Sequence, residues 1–172
     1  KLLHERYLKV RFKDDAMRKR ALMAAFMFRS QLPAEYKAEI NGLAEASGID
    51  AGDVMLGNCF LDLVPMTACS TVTLPASASP DGVARFGRNL DFPALNIADK
   101  HSVVMVVKPE GKYAFAAVSW PGLIGVLSGM NEHGLCVANM EVSRSLRLPD
   151  AMPYTLLYRT VLERCRTTDD AI

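Results

Sequence analysis

Between Leu2 and Ser47, apolar residues recur every three or four positions among charged ones, in a stretch rich in Ala, Met and Leu with Pro33 as its one proline. That spacing predicts two or three helices. "RSQLPAEYKAEINGLAEASGI" should turn at Ser30 to Pro33, continue as a helix through Tyr36, Ile40, Leu43 and Ala44, and stop at Gly48. "DAGDVMLGNCFLDL" then reads as a change to short, buried segments. After Cys69 the period becomes two. "STVTL", "VARFGRNLDF", "SVVMVVK", "YAFAAVSW", "IGVLSGM" and "GLCVANMEV" are separated by "SPDG", "PEGK", "PG" and "NEHG", the pattern of an antiparallel meander of about six strands. Helical spacing returns in "PYTLLYRTVLERC", with Pro153 at its start. Helices, then sheet, then helix imply an α+β layered domain.

Composition narrows the partners. The chain of 172 residues has half its residues hydrophobic, 23% charged and a net charge of +1, so it supports a packed core and has no long-range field for nucleic acid or anionic lipid. "MRKR" reads as a solvated helix face, and "ALMAAFMF" is too short to span a bilayer. Cys59, Cys69, Cys136 and Cys165 lie far apart without a C-x-x-C, which predicts free thiols, with no metal site and no cofactor. Cys59, Cys136 and Cys165 sit in apolar runs and read as buried small hydrophobes.

Cys69 opens the first strand, and Arg88 and Asp91 follow on the second between Phe86, Leu90 and Phe92, where burial is expected. A nucleophilic thiol needs a base. His4, His101 and His133 stand near a terminus, at a strand start and in the turn "NEHG", positions better suited to exposed roles. The amine of Cys69 is another candidate, because an α-amino group accepts a proton near neutral pH once the Ala68–Cys69 bond is cut. A histidine-dependent cysteine hydrolase using His133 stays open, as does a non-catalytic binding module.

The motifs "ACSTVTL…GVARFGRNLDFP" and "SGMNEHGLCVANMEV" resemble the choloylglycine hydrolase, penicillin V acylase and acid ceramidase group of N-terminal-nucleophile (Ntn) cysteine hydrolases. The leader "AEINGLAEASGIDAGDVMLGNCFLDL", with its E-x-x-G-x-A-x-x-x-G pattern, is closer to the acyl-coenzyme A:6-aminopenicillanic acid acyltransferase-like branch. The resemblance implies an αββα sandwich of antiparallel sheets preceded by a helical pro-segment. It divides the chain into a pro-segment over 1–68 and the N-terminal part of the catalytic domain over 69–172. The C-terminal part, with a further oxyanion asparagine and a later arginine, is expected beyond these residues.

The same resemblance makes Cys69 the nucleophile and Ala68–Cys69 the self-cleavage site. Arg88 is then the cation beside the sulfur, where a fixed positive charge favours thiolate. Asp91 becomes the acceptor for the new amino terminus, and the backbone N–H of Glu141 an oxyanion donor. Asn139 is a candidate substrate contact, whereas Asn131 and Glu132 read as turn residues. Residues three apart on a strand point to opposite faces, so Arg88 and Asp91 acting together call for a bulge or twist. The implied activity is hydrolysis or acyl transfer on a linear amide with an apolar acyl group. It needs no metal, its two pieces stay associated after cleavage, and it leaves room for a homo-oligomer.

Overall fold

The computed structural model describes residues 4–64, 68–140 and 150–172, with residues 4 and 5 as backbone only. A π-helical turn, His4–Leu8, runs into the short helix α1, Lys9–Arg11. Then come α2, Asp15–Ser30, and α3, Ala34–Ser47. The expected turn before Pro33 and stop at Gly48 are both present. Gly48 adopts φ +67° and returns its N–H to Ala44 O at 2.9 Å, a left-handed termination that glycine accepts without steric cost.

The segment expected to break into short pieces is instead one helix, α4, Ala51–Leu63. Asp50 caps it, accepting from Gly52 N at 2.8 Å. Met55, Leu56, Cys59 and Phe60 then fall on one buried face. Its glycines weaken the helical signal, but Gly57 serves packing: a Cβ there would lie 3.4 Å from Leu8 Cδ1.

Six strands follow among the described residues, in two sheets where one meander was expected. Among the described residues β1, Ala68–Leu74, pairs with β2, Arg85–Asp91, alone. β3, Val103–Val107, β4, Phe115–Ser119, β5, Ser128–Asn131, and β6, Cys136–Ala138, form the antiparallel meander. Residues 92–102 explain the break. Pro93 lacks a ladder donor, and Leu95 and Asn96 take φ of 52° and 56°, so the chain leaves the ribbon instead of turning back along it.

The last helix, α5, Tyr154–Arg164, covers one face of the meander, burying Phe115, Ala117, Val126 and Leu162 together. Gly129 permits this approach, since a Cβ there would meet Ala116 O at 2.8 Å and Leu162 Cδ1 at 2.9 Å. Val104, Val106, Val118 and Met130, on the opposite face, are exposed. The larger core joins α2, α3, α4 and the π-helical turn to Leu123, Ile124, Leu127 and Leu156. The α+β class read from the sequence is the observed one. Of the cysteines only Cys59 is buried as expected among them; Cys136 is exposed and Cys165 half-buried, because β6 ends the sheet and Cys165 follows α5.

Buried polar groups tie the helices to the sheet. Asn131 is fully used as a turn residue: its amide donates to Leu162 O and Cys165 O at the end of α5, while its oxygen accepts from His133 N and Leu135 N. Glu163 is 1% exposed and binds Lys112 Nζ, Arg159 Nε and Tyr36 Oη at 2.7, 2.7 and 2.9 Å. Arg159 also reaches Glu39 Oε2 at 2.7 Å, so α3 and α5 share one charged cluster. Burial raises the Tyr36 hydroxyl to about 12, keeping it a donor.

Burial opposes a charged Glu163, but the bonds from Lys112, Arg159 and Tyr36 outweigh it and hold the carboxyl below the usual carboxylate range. Its stabilisation is therefore complete above the ordinary glutamate pKa and fades as pH falls through the lowered value. Glu163→Ala should cost about 3 kcal/mol near neutral pH by removing the buried carboxylate between Lys112 and Arg159, which keep the more exposed Glu35 and Glu39. It should also flatten the acid limb of stability, as measured by urea unfolding from pH 7 downward.

Candidate functional site

The site grows from a regular two-stranded ladder. β1 and β2 pair from Ala68 opposite Asp91 to Leu74 opposite Arg85 without a skipped residue. Opposed residues share a face and neighbours alternate. Cys69, Thr71, Arg88 and Leu90 therefore lie on one face, with Ala68, Ser70, Asn89 and Asp91 on the other. The expected irregularity is absent from this ladder, and Arg88 and Asp91 do not converge. The predicted burial is corrected too: Asp91 and Phe86 are exposed and Arg88 is half-buried, since Asp91 lies on the ladder face opposite Leu90, which packs on the core, and Phe86 lies toward the other end of the ribbon.

Arg88 stands opposite Thr71, one diagonal step from Cys69, a distance that a long side chain bridges. Its Nη2 lies 3.4 Å from Cys69 Sγ and donates to Asn139 O at 3.0 Å. The second bond crosses from the ribbon to the end of β6, where Asn139 N donates to Leu127 O at 2.9 Å. Asn139 is buried, and its carbonyl thus holds the guanidinium that faces the sulfur. Asp91, on the other face, is opposite Ala68 and accepts from Asn89 Nδ2 at 2.7 Å. The two charges thus lie on different faces of the ladder, Arg88 beside the Cys69 thiol and Asp91 opposite Ala68.

Glu141, the expected oxyanion donor, lies outside the described residues. His133 occupies the turn after β5, its ring edge-on to Tyr113 with centroids 4.4 Å apart. His101 ends a 3₁₀ turn, and nothing is described of the His4 side chain. Among the described residues no cluster of His, Cys, Asp and Glu could hold a metal ion, and no helix is long and apolar enough to cross a membrane.

A cleft of about 430 Å³ opens beside Arg88, walled by Leu90, Phe92, Val118, Trp120 and Leu127. Phe92, Ala98 and Trp120 also wall a second cavity of about 260 Å³, whose far side is Leu8, Leu43, Val54 and Phe60. The two spaces share one partition. In it Phe92 and Trp120 lie 5.0 Å apart between centroids, and Trp120 Nε1 donates to Ala98 O at 2.9 Å.

Residues 78–172 match the model of the acyl-coenzyme A:6-aminopenicillanic acid acyl-transferase family, more than half of the chain. The chain belongs to that family. Arg88, Asp91, Asn139 and Glu141 lie inside the match, and Cys69 precedes it. The family is part of the Ntn superfamily, and the helices and antiparallel sheets of this α+β domain agree with an Ntn-like fold. Three relatives align over most of the chain. Protein dcd1A of Dictyostelium discoideum is 27% identical across 87% of the chain and 36% of its own length. The N-acylethanolamine-hydrolyzing acid amidase of Oryctolagus cuniculus is 26% identical across 82% and 40%, and a protein of Archaeoglobus fulgidus 25% across 82% and 28%. The chain thus spans well under half the length of these relatives.

Sequence reasoning assigned no role to Asn89, although it lies within the G-R-N-L-D motif, two residues from Asp91 and on the same face. Phe92 and Trp120 carried a signal only as apolar strand residues. Their meeting depends on a contact between β2 and the end of β4 that no local pattern encodes.

A guanidinium within hydrogen-bonding reach of a sulfur interacts with it directly and orients it. Arg88→Met should slow iodoacetamide alkylation of Cys69 by about tenfold while leaving exposed Cys136 unchanged. Equal rates at Cys69 in the two proteins would remove Arg88 from the thiol's chemistry.

Proposed function

We propose that the protein is a self-activating Ntn amide hydrolase or acyltransferase whose nucleophile is Cys69. The observation that carries this reading is the approach of Arg88 Nη2 to Cys69 Sγ at 3.4 Å, with Asp91 across the ladder from Ala68.

In the activating step the thiol attacks the Ala68 carbonyl. The C–N bond to Cys69 breaks, its nitrogen takes a proton, and an Ala68 thioester forms. Water hydrolyses that thioester, leaving residues 1–68 with a carboxylate and Cys69 with a free α-amine. Asp91, oriented by Asn89, accepts from the new amino terminus. The amine then takes the thiol proton, the sulfur attacks a substrate amide, and the ammonium returns the proton to the departing amine. Water completes hydrolysis of the new thioester, or a second amine completes acyl transfer.

The apolar cleft beside Arg88 suits an aliphatic acyl group, and the cavity behind Phe92 and Trp120 suits a longer tail. Family membership and the rabbit relative's named substrates favour N-acylated small amines. The pro-segment and the catalytic piece would remain together, because Tyr36 and Glu39 bind the α5 cluster and Asp62 Oδ1 accepts from Tyr154 N at 3.3 Å.

Intact-mass measurement of the purified protein should give two fragments joined natively, with Cys69 as a new N-terminus, and Cys69→Ala should stay whole. Amide hydrolysis by a protein whose Ala68–Cys69 bond survives would refute the proposal.

A further inference from the structure

Asn58 lies on α4 and is 2% exposed, beside the buried Met55, Leu56, Cys59 and Asp62. A buried carboxamide is costly unless its hydrogen bonds are made. Here Nδ2 donates to Val54 O and Gly122 O, both at 2.9 Å, and Oδ1 accepts from Ile124 N at 2.8 Å. The first bond stays within α4. The other two grip the turn after β4 from both sides, a turn in which Gly122 takes φ +92° and Leu123 N donates to Trp120 O at 3.1 Å.

From this we infer that Asn58 is a positioning residue for the acyl cleft, acting through the Trp120–Ile124 turn. The inference rests on the function proposed above. Asn58 is not among the residues lining either cavity, whereas Trp120, Pro121, Gly122 and Leu123 line the inner one and Trp120 forms the partition. α5 holds the far end of the turn independently, through Arg159 Nη1 to Ile124 O at 3.0 Å and Val126 N to Thr155 O at 2.8 Å. The Gly122 side depends on α4. Loss of the amide therefore loosens the indole without dismantling the turn, and it affects the long tail more than the reacting carbonyl.

Asn58 precedes Cys69 in the chain, so a residue from the expected pro-segment sets the pocket of the catalytic piece. Among the described residues its side chain bonds to the turn and its own helix, and its backbone carbonyl accepts from Thr155 Oγ1 of α5 at 3.5 Å.

The test uses the complete protein and straight-chain p-nitroanilides. With the hexadecanoyl anilide, Asn58→Leu should raise KM about tenfold with kcat within about twofold; with the butanoyl anilide KM should change less than about twofold. Iodide quenching assigned to Trp120, by subtracting the Trp120→Phe protein, should increase. Asn58→Asp retains the acceptor for Ile124 N but loses the donor to Gly122 O, and should fall between the two.

Unchanged quenching in the variants overturns the inference, as do equal KM changes for both acyl lengths. Collapse of both variants in thermal unfolding also overturns it, by making the amide purely structural. Failure of the parent to hydrolyse any anilide would count against the proposed function, while the quenching comparison still decides the role of Asn58.

Discussion

A two-stranded ribbon in water is marginal by itself, and β1–β2 holds its place through Phe92, just beyond its end. The Phe92 ring stacks on Tyr7 at 5.4 Å, meets Phe60 at 6.3 Å and Trp120 at 5.0 Å, and so joins the π-helical turn, α4 and the end of β4. Tyr7 Oη donates to Pro93 O at 3.2 Å, fixing the backbone at the same point. Aromatic contacts of this kind add specific geometry to the area they bury. With that anchor set, the regular ladder carries Arg88 and Cys69 onto one face and Asp91 onto the other. In the proposed chemistry this separation would let a cation serve the sulfur and a carboxylate the adjoining nitrogen without neutralising each other.

α4 is the second constraint. Its apolar face builds the core, and its two buried polar residues reach out of the helix. Asn58 holds the turn after β4, and Asp62 accepts from the first N–H of α5. The latter supplies from another element the acceptor that a helix N-terminus lacks, since Pro153 before α5 offers no capping side chain. Both contacts cross the proposed cleavage point. A chain cut before Cys69 would therefore keep a catalytic piece whose pocket and final helix still depend on the leader.

The alternation of apolar and polar positions was enough to give six strands, the α+β class and the helix end at Gly48, because each follows from local periodicity or backbone freedom. The G-R-N-L-D and N-E-H-G-L motifs pointed to the Ntn cysteine hydrolases at large, and the leader pattern to the acyltransferase family to which the chain belongs: short motifs carry the residue types that a given chemistry needs. Periodicity failed at α4, where glycines and an asparagine that lower helix propensity are explained only by Leu8, Gly122 and Ile124 from elsewhere in the chain. At Arg88 and Asp91 periodicity held, and the expected bulge came from assuming that the two charges converge, whereas the regular ladder faces them oppositely. Sequence determined which elements form and which chemical groups they carry. Tertiary structure alone decided that the strands divide into two sheets and that Arg88 turns toward the sulfur. It also decided that Trp120 closes the cleft, because these depend on contacts between residues distant in the chain, where no repeating local pattern exists to be read.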